Sequence, residues 1–169
     1  MQTPPVDETV IQNVAITYLQ LVSGLWQNYS LICVADPDHT SFATEEGKLA
    51  FLNETFTEML DRAENICRMW IDTLEVPETA KEVMSLTGDV DDDRQAIAHF
   101  MNITFQILRP FQVENITAIA ESQCASQIYN GLMQKAQSIA SDIEDIEEAK
   151  NAIAEGVLVG GLEILDQIV

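Results

Sequence analysis

Apolar residues return every three or four positions along nearly the whole chain, and that spacing restricts the fold more than any other feature. It places them on one side of an α-helix, so each stripe has to be covered by another helix. The longest stripe runs from Gln112 to Ile168 through Ile116, Ala120, Cys124, Ile128, Leu132, Ala136, Ile139, Ile143, Ile146 and Ile153. It predicts a long amphipathic helix, or two joined end to end, opening near Glu114. Ser141 and Glu144 have capping-box spacing, which puts a break or bend near 138–141.

Three more stripes and one short helix precede it. After Pro4, Pro5 and a capping Asp7, the set Ile11, Val14, Tyr18, Leu21, Val22, Leu25, Tyr29 and Ile32 forms a stripe that stops before Asp36-Pro37-Asp38. Thr44 caps a second stripe, Leu49, Leu52, Phe56, Met59, Leu60, Ala63, Cys67, Trp70 and Leu74, ended by Val76-Pro77. Thr79 and Glu82 suggest a capping box for a short helix closed by Gly88. The acidic turn Asp89–Asp93 then leads into a third stripe with Ile97, Phe100, Met101, Phe105 and Leu108, which Pro110 should end or kink. Gly156, Gly160 and Gly161 interrupt the C-terminal end.

The expected fold is all-α: residues 1–169 as a single domain, a four- or five-helix bundle with an apolar C-terminal helix or tail. Leu158, Leu162, Leu165 and Ile168 make that tail more apolar than a free end should be, so they are the candidate residues for a subunit contact.

Charge narrows the function. Asp and Glu number 28 and Lys and Arg 8, a net charge of −20. Such a field repels nucleic-acid phosphates and anionic lipid, so neither is an expected partner. No run is long and apolar enough for a membrane span. The N-terminus lacks a basic start followed by an apolar core, so export implies a leader already removed. Acid or calcium, by lowering the repulsion, should promote association. The acidic run Asp142, Glu144, Asp145, Glu147 and Glu148 reads as a solvated face or as a docking surface for a basic partner.

Compartment is argued from sequons and cysteines. Asn28, Asn53, Asn102 and Asn115 each open an Asn-x-Ser/Thr triplet. With 8 Asn and 20 Ser or Thr in 169 residues, about one triplet is expected by chance. The excess points to glycosylation and hence to the extracellular space or the secretory lumen, with Asn102 and Asn115 the favoured acceptors. Cys33, Cys67 and Cys124 are too few for a disulfide-built scaffold and odd in number. Cys67 and Cys124 lie on apolar stripes and are expected to meet in the core. Cys33, at the end of its helix, is the more exposed candidate for a bridge to Cys67 or to another subunit. Three buried free thiols in a reducing cytosol are the alternative.

Most catalytic chemistry is missing. Neither His39 nor His99 follows a Glu by three residues, as a di-metal carboxylate bundle requires. Asp89, Asp91 and Asp93 occupy the first, third and fifth positions of a calcium loop, but Arg94 and Phe100 stand at the sixth and twelfth. Helix capping fits those aspartates better, with weak divalent binding as the sharper reading. Cys33 and His39 lack a third orienting group, and the chain has no nucleophile elbow, phosphate-cradling glycine loop or zinc-spaced cysteine pair. No catalytic residue and no cofactor are assigned. Trp26, Trp70, Phe100, Phe105 and Met101 could line an apolar pocket, although core packing explains them as well.

The expectation is thus a non-enzymatic, secreted or extracellular acidic glycoprotein that binds another protein or itself. An extracellular helical carrier of a small apolar ligand and an intracellular or viral acidic structural subunit are the alternatives.

Overall fold

The computed structural model describes residues 8–122 and 124–166, with side chains except at 8–12, 14, 111, 113–117 and 119–122. Among the described residues there are six α-helices and no strand: α1 (Glu8–Ala35), α2 (Glu45–Thr73), α3 (Glu78–Met84), α4 (Val90–Ser122), α5 (Ala125–Ile139) and α6 (Ile146–Leu165). A single 3-10 turn, Ala140–Asp142, follows α5. No helix is long and apolar enough to cross a membrane among those residues.

Local chemistry sets most of the ends. Thr44 Oγ1 accepts the Gly47 N–H at 3.0 Å, and Glu45 and Glu46 face the positive end of the α2 dipole. At the other end Leu74 takes a left-handed conformation, φ 59°, and its N–H donates to the Trp70 carbonyl. Arg94 covers neighbouring carbonyls of that terminus, donating to Ile71 and Asp72 at 3.0 and 3.4 Å. Asp89 accepts the Asp92 N–H at 3.0 Å, while the buried Asp93 carboxylate accepts the N–H groups of Thr87 and Gly88. Gly88 sits at φ 92°, a conformation that side-chain-bearing residues rarely adopt.

Four expectations need correction. The short helix begins at Glu78 after Pro77 and closes on a left-handed Ser85, so the Thr79 capping box is not used and Gly88 is not its stop. α4 continues through Pro110 to Ser122, because proline removes one donor but the flanking side chains hold the helix on α2. Arg109 reaches Asp61 and Glu64, and Gln112 reaches Asn53 and Thr57. The helix start expected near 114 therefore falls at Ala125, with Cys124 as its N-cap. The second break lies close to its expected place, but the cap is Asp145, accepting the Glu148 N–H at 3.1 Å, rather than Ser141.

The C-terminal glycines do not interrupt α6; they let it approach α1. Leu25 packs over Gly156, Leu21 over Gly160 and Tyr18 over Gly161, so the two helices run antiparallel. A Cβ on Gly161 would clash with Cζ, Cε2 and the hydroxyl oxygen of Tyr18, whose hydroxyl donates to the Val157 carbonyl at 3.1 Å. α2 is the helix on which most others are assembled. It packs beside α1, α4, α5 and α6. One core cluster joins Tyr18, Trp26 and Tyr29 of α1 to Phe56 and Met59 of α2 and to Tyr129 of α5. A second joins Cys67 and Trp70 to Ala80, Ile97, Phe100, Leu158 and Leu162. Trp26 and Trp70 are thus in separate clusters and do not line one pocket.

Gly161→Ala should lower stability by about 1–3 kcal/mol through overpacking against Tyr18. Gly24→Ala, at an exposed site with nothing near the added carbon, should raise it by about 0.5–1 kcal/mol. Urea unfolding of the two variants checks both signs; equal effects would contradict this packing.

Candidate functional site

Three of the sequon asparagines, Asn28, Asn53 and Asn102, are exposed on α1, α2 and α4. The Asn115 side chain lies outside the described residues. Helical geometry turns positions two apart to nearly opposite faces, so each outward asparagine has its hydroxyl partner turned inward. Ser30 and Thr55, the third residues of two triplets, are buried and share a hydrogen bond at 2.9 Å, and Thr55 lies 3.1 Å from the Trp26 indole N–H that donates to it. Thr104, of the third triplet, is fully buried facing the Tyr18 hydroxyl, yet its own hydroxyl completes no hydrogen bond of ordinary geometry. The same pattern therefore has a structural origin and leaves the asparagines accessible.

The cysteines are arranged differently from the expectation. All three are free. Cys33 and Cys67 are buried in separate clusters, and burial pushes each thiol up to about 12, which keeps it protonated and a poor nucleophile at neutral pH. Cys124 is the exposed one. The break after α4 makes it the N-cap of α5, out of the periodic stripe, so it does not meet Cys67. Its thiol donates at 2.9 Å to Glu45, whose carboxylate also accepts from the N–H and hydroxyl of Ser126. These bonds, led by that from Cys124, hold the Glu45 carboxyl down to about 2. A carboxylate from the first turn of α2 thus caps α5.

The C-terminal interface candidates are consumed within the chain. Leu158 and Leu162 are buried in the second core cluster and Leu165 is half-buried against both, because α6 turns its apolar side onto α1, α2 and α3. Ile168 lies outside the described residues. Asp89 and Asp93 are engaged in capping, and no group of three or more His, Cys, Asp or Glu that could hold a metal ion occurs among the described residues.

Two clusters were not anticipated. At the meeting of α1, α2 and α6, Arg62 donates to the Tyr29 hydroxyl at 3.0 Å, Asn151 at 2.8 Å and Glu147 at 2.7 Å. The buried Lys150 ammonium stands 3.4 Å from Glu58, whose other oxygen faces the Cys33 thiol at 4.0 Å. The Glu58–Arg62 and Glu147–Asn151 pairs have the i,i+4 spacing that could have marked each half in the sequence. Their convergence is tertiary. At one end of the bundle His39 Nε2 shares a 2.6 Å hydrogen bond with the Tyr129 hydroxyl, amid the rings of Phe42 and Phe51. Lys48 sits over the Tyr129 ring. His39 has turned from Cys33 towards Tyr129, so the two do not form a nucleophile–base pair. Both clusters join helices, and neither aligns a nucleophile, base and orienting group.

Two concavities among the described residues bear on ligand binding. One, of about 550 Å³, is bounded by Ile66, Met69, Trp70, Val76 and Pro77 with Lys81 and Glu155 at its edge. The other, of about 520 Å³, follows α1 past Ile16, Leu19, Gln20, Ser23, Gly24 and Gln27. Both are open to solvent.

Acid should weaken the fold at the two linkages described. Burial lowers the His39 pKa below 6.5, so the folded state binds that proton less readily than the unfolded chain. The stability it contributes is complete above pH 6.5 and is lost as pH falls below that value. Glu45, lowered from 4.5 to about 2, acts in the same direction between those values. The difference in stability between the parent and Glu45→Gln should therefore shrink from pH 5 to pH 2, and that between the parent and His39→Gln from pH 7 downward. Denaturant titrations across pH give both differences; curves that stay parallel would contradict the assignments. Comparison with protein-family models, curated proteins and solved structures gives no match for this chain.

Proposed function

We propose that the chain is a non-enzymatic acidic glycoprotein of the extracellular space or secretory lumen that acts by binding protein, a second copy of itself included. The observation that carries this reading is the exposure of Asn28, Asn53 and Asn102 on three different helices. A glycan at Asn53 or Asn102 extends into solvent and displaces no core atom. Charge supports the protein-binding part. Seven of the eight basic side chains are engaged in hydrogen bonds or ion pairs within the chain, which leaves the exterior dominated by carboxylates. An exterior of that kind favours basic protein partners over anionic surfaces.

A second reading, an acidic structural subunit of an intracellular or viral assembly, draws on Cys33 and Cys67, which are buried, free and in separate clusters as a reducing compartment allows. The carrier of a small apolar ligand draws only on the open groove beside Trp70.

Native material should lose mass on treatment with an N-glycosidase, with Asn102 among the sites converted to Asp. An unchanged mass together with three alkylatable thiols would overturn the glycoprotein reading and favour the intracellular subunit.

A further inference from the structure

One side of this molecule departs from its overall charge. α1 has a single charged residue, Glu8, among 28, although charged residues make up 21% of the chain. Its exposed stripe, Asn13, Ile16, Gln20, Gly24 and Gln27, is wholly uncharged, whereas α2 presents Glu54, Asp61 and Asp72 to solvent and α6 presents Glu147, Glu148 and Glu163. α5, which packs against α1, has one charge, Lys135, and that is the one basic side chain described without a hydrogen bond or ion pair. Ile16, at 53%, is the most exposed large apolar side chain among the described residues. About two helical turns further on, nothing outside the helix's own backbone stands within 4 Å of where a Gly24 Cβ would be, and the 520 Å³ groove runs between the two.

We propose that this face of α1 is the contact between two copies of the chain. Two molecules of charge −20 repel wherever their carboxylates approach, and the repulsion is weakest where neither presents any. A basic partner would find no anion on this stripe. A second copy finds a surface that is its own complement under a two-fold axis. With the helices antiparallel and Gln20 at that axis, Ile16 of each copy seats at Gly24 of the other, and the two Gln20 amides can pair. The missing Cβ permits the backbones to approach closely there, as small residues do at other helix crossings. One helix pair is a small contact, so the association is concentration-dependent and strengthens as salt screens the remaining charge.

The proposal rests on the self-binding part of the reading above and names the surface it would use. Sedimentation equilibrium of the full chain is the test. The parent should dimerise, at least about tenfold more tightly in about 500 mM than in about 20 mM NaCl. Ile16→Glu and Gly24→Leu, both at exposed positions where the fold has no clash to absorb, should weaken dimerisation at least about tenfold with unchanged far-ultraviolet circular dichroism. A parent that stays monomeric at every salt concentration overturns the proposal, as does a dimer indifferent to both substitutions. Co-sedimentation of a monomer with phosphatidylcholine vesicles, abolished by Ile16→Glu, would overturn it in favour of a lipid surface. A monomer that carries a glycan on Asn102 would defeat the dimer and leave the glycoprotein reading standing.

Discussion

A chain with 28 acidic side chains and 8 basic ones can hold its helices together only if the few cations stand where helices meet. That constraint organises this structure. Arg62 ties α2 to α1 and α6 in one guanidinium, through Tyr29, Asn151 and Glu147. Lys150 adds a second α6–α2 link to Glu58, and its ammonium lies over the Tyr29 ring. Arg109 fastens α4 to Asp61 and Glu64, and Lys48 joins α2 to α5 through Asn130 and Tyr129. Pairs at the surface contribute little, but Lys150 and Arg62 are mostly withdrawn from water, where losing a partner leaves a charge without compensation.

Close packing complements these links. Gly156, Gly160 and Gly161 bring α6 against α1 so that Leu25, Leu21 and Tyr18 fill the space that side chains would otherwise occupy. The apolar C-terminal segment is thereby spent inside the molecule, and the uncharged exposed surface lies on the outer side of α1 instead. Exposed carboxylates stand on α2, α3, α4, α6 and the connecting turns, and the dimer contact proposed for α1 follows from their absence along its outer stripe.

The helices were legible because their signals are local. The α2 stripe from Leu52 to Trp70 is buried as its spacing requires, and Thr44 caps the helix as its side chain suggests. Where the expectation failed, the deciding interaction came from another helix. Pro110 reads as a stop or a kink, and α4 does not stop there because the side chains that hold it across the proline find their partners on α2. The glycines of α6 looked like interruptions because Tyr18 and Leu21 are more than 130 positions away in the chain. Cys124 was assigned to a stripe that a new helix start removes from it. Candidate sites were legible only as exposed residue types: Asn102 is exposed opposite its apolar stripe, as a helical wheel has it, and Asn28 and Asn53, at the flanks of theirs, are exposed too, while the His39–Tyr129 and Arg62–Lys150 clusters assemble residues with no shared sequence signal.

The claim that scarce cations act as inter-helix joints is tested most directly by a double-mutant cycle between Glu58 and Lys150, using Glu58→Gln, Lys150→Met and the double variant in urea unfolding. The ammonium is largely buried and the carboxylate partly exposed, so the predicted coupling is about 1 kcal/mol or more, with Glu58→Gln alone more destabilising than the double variant. A coupling indistinguishable from zero would contradict the account.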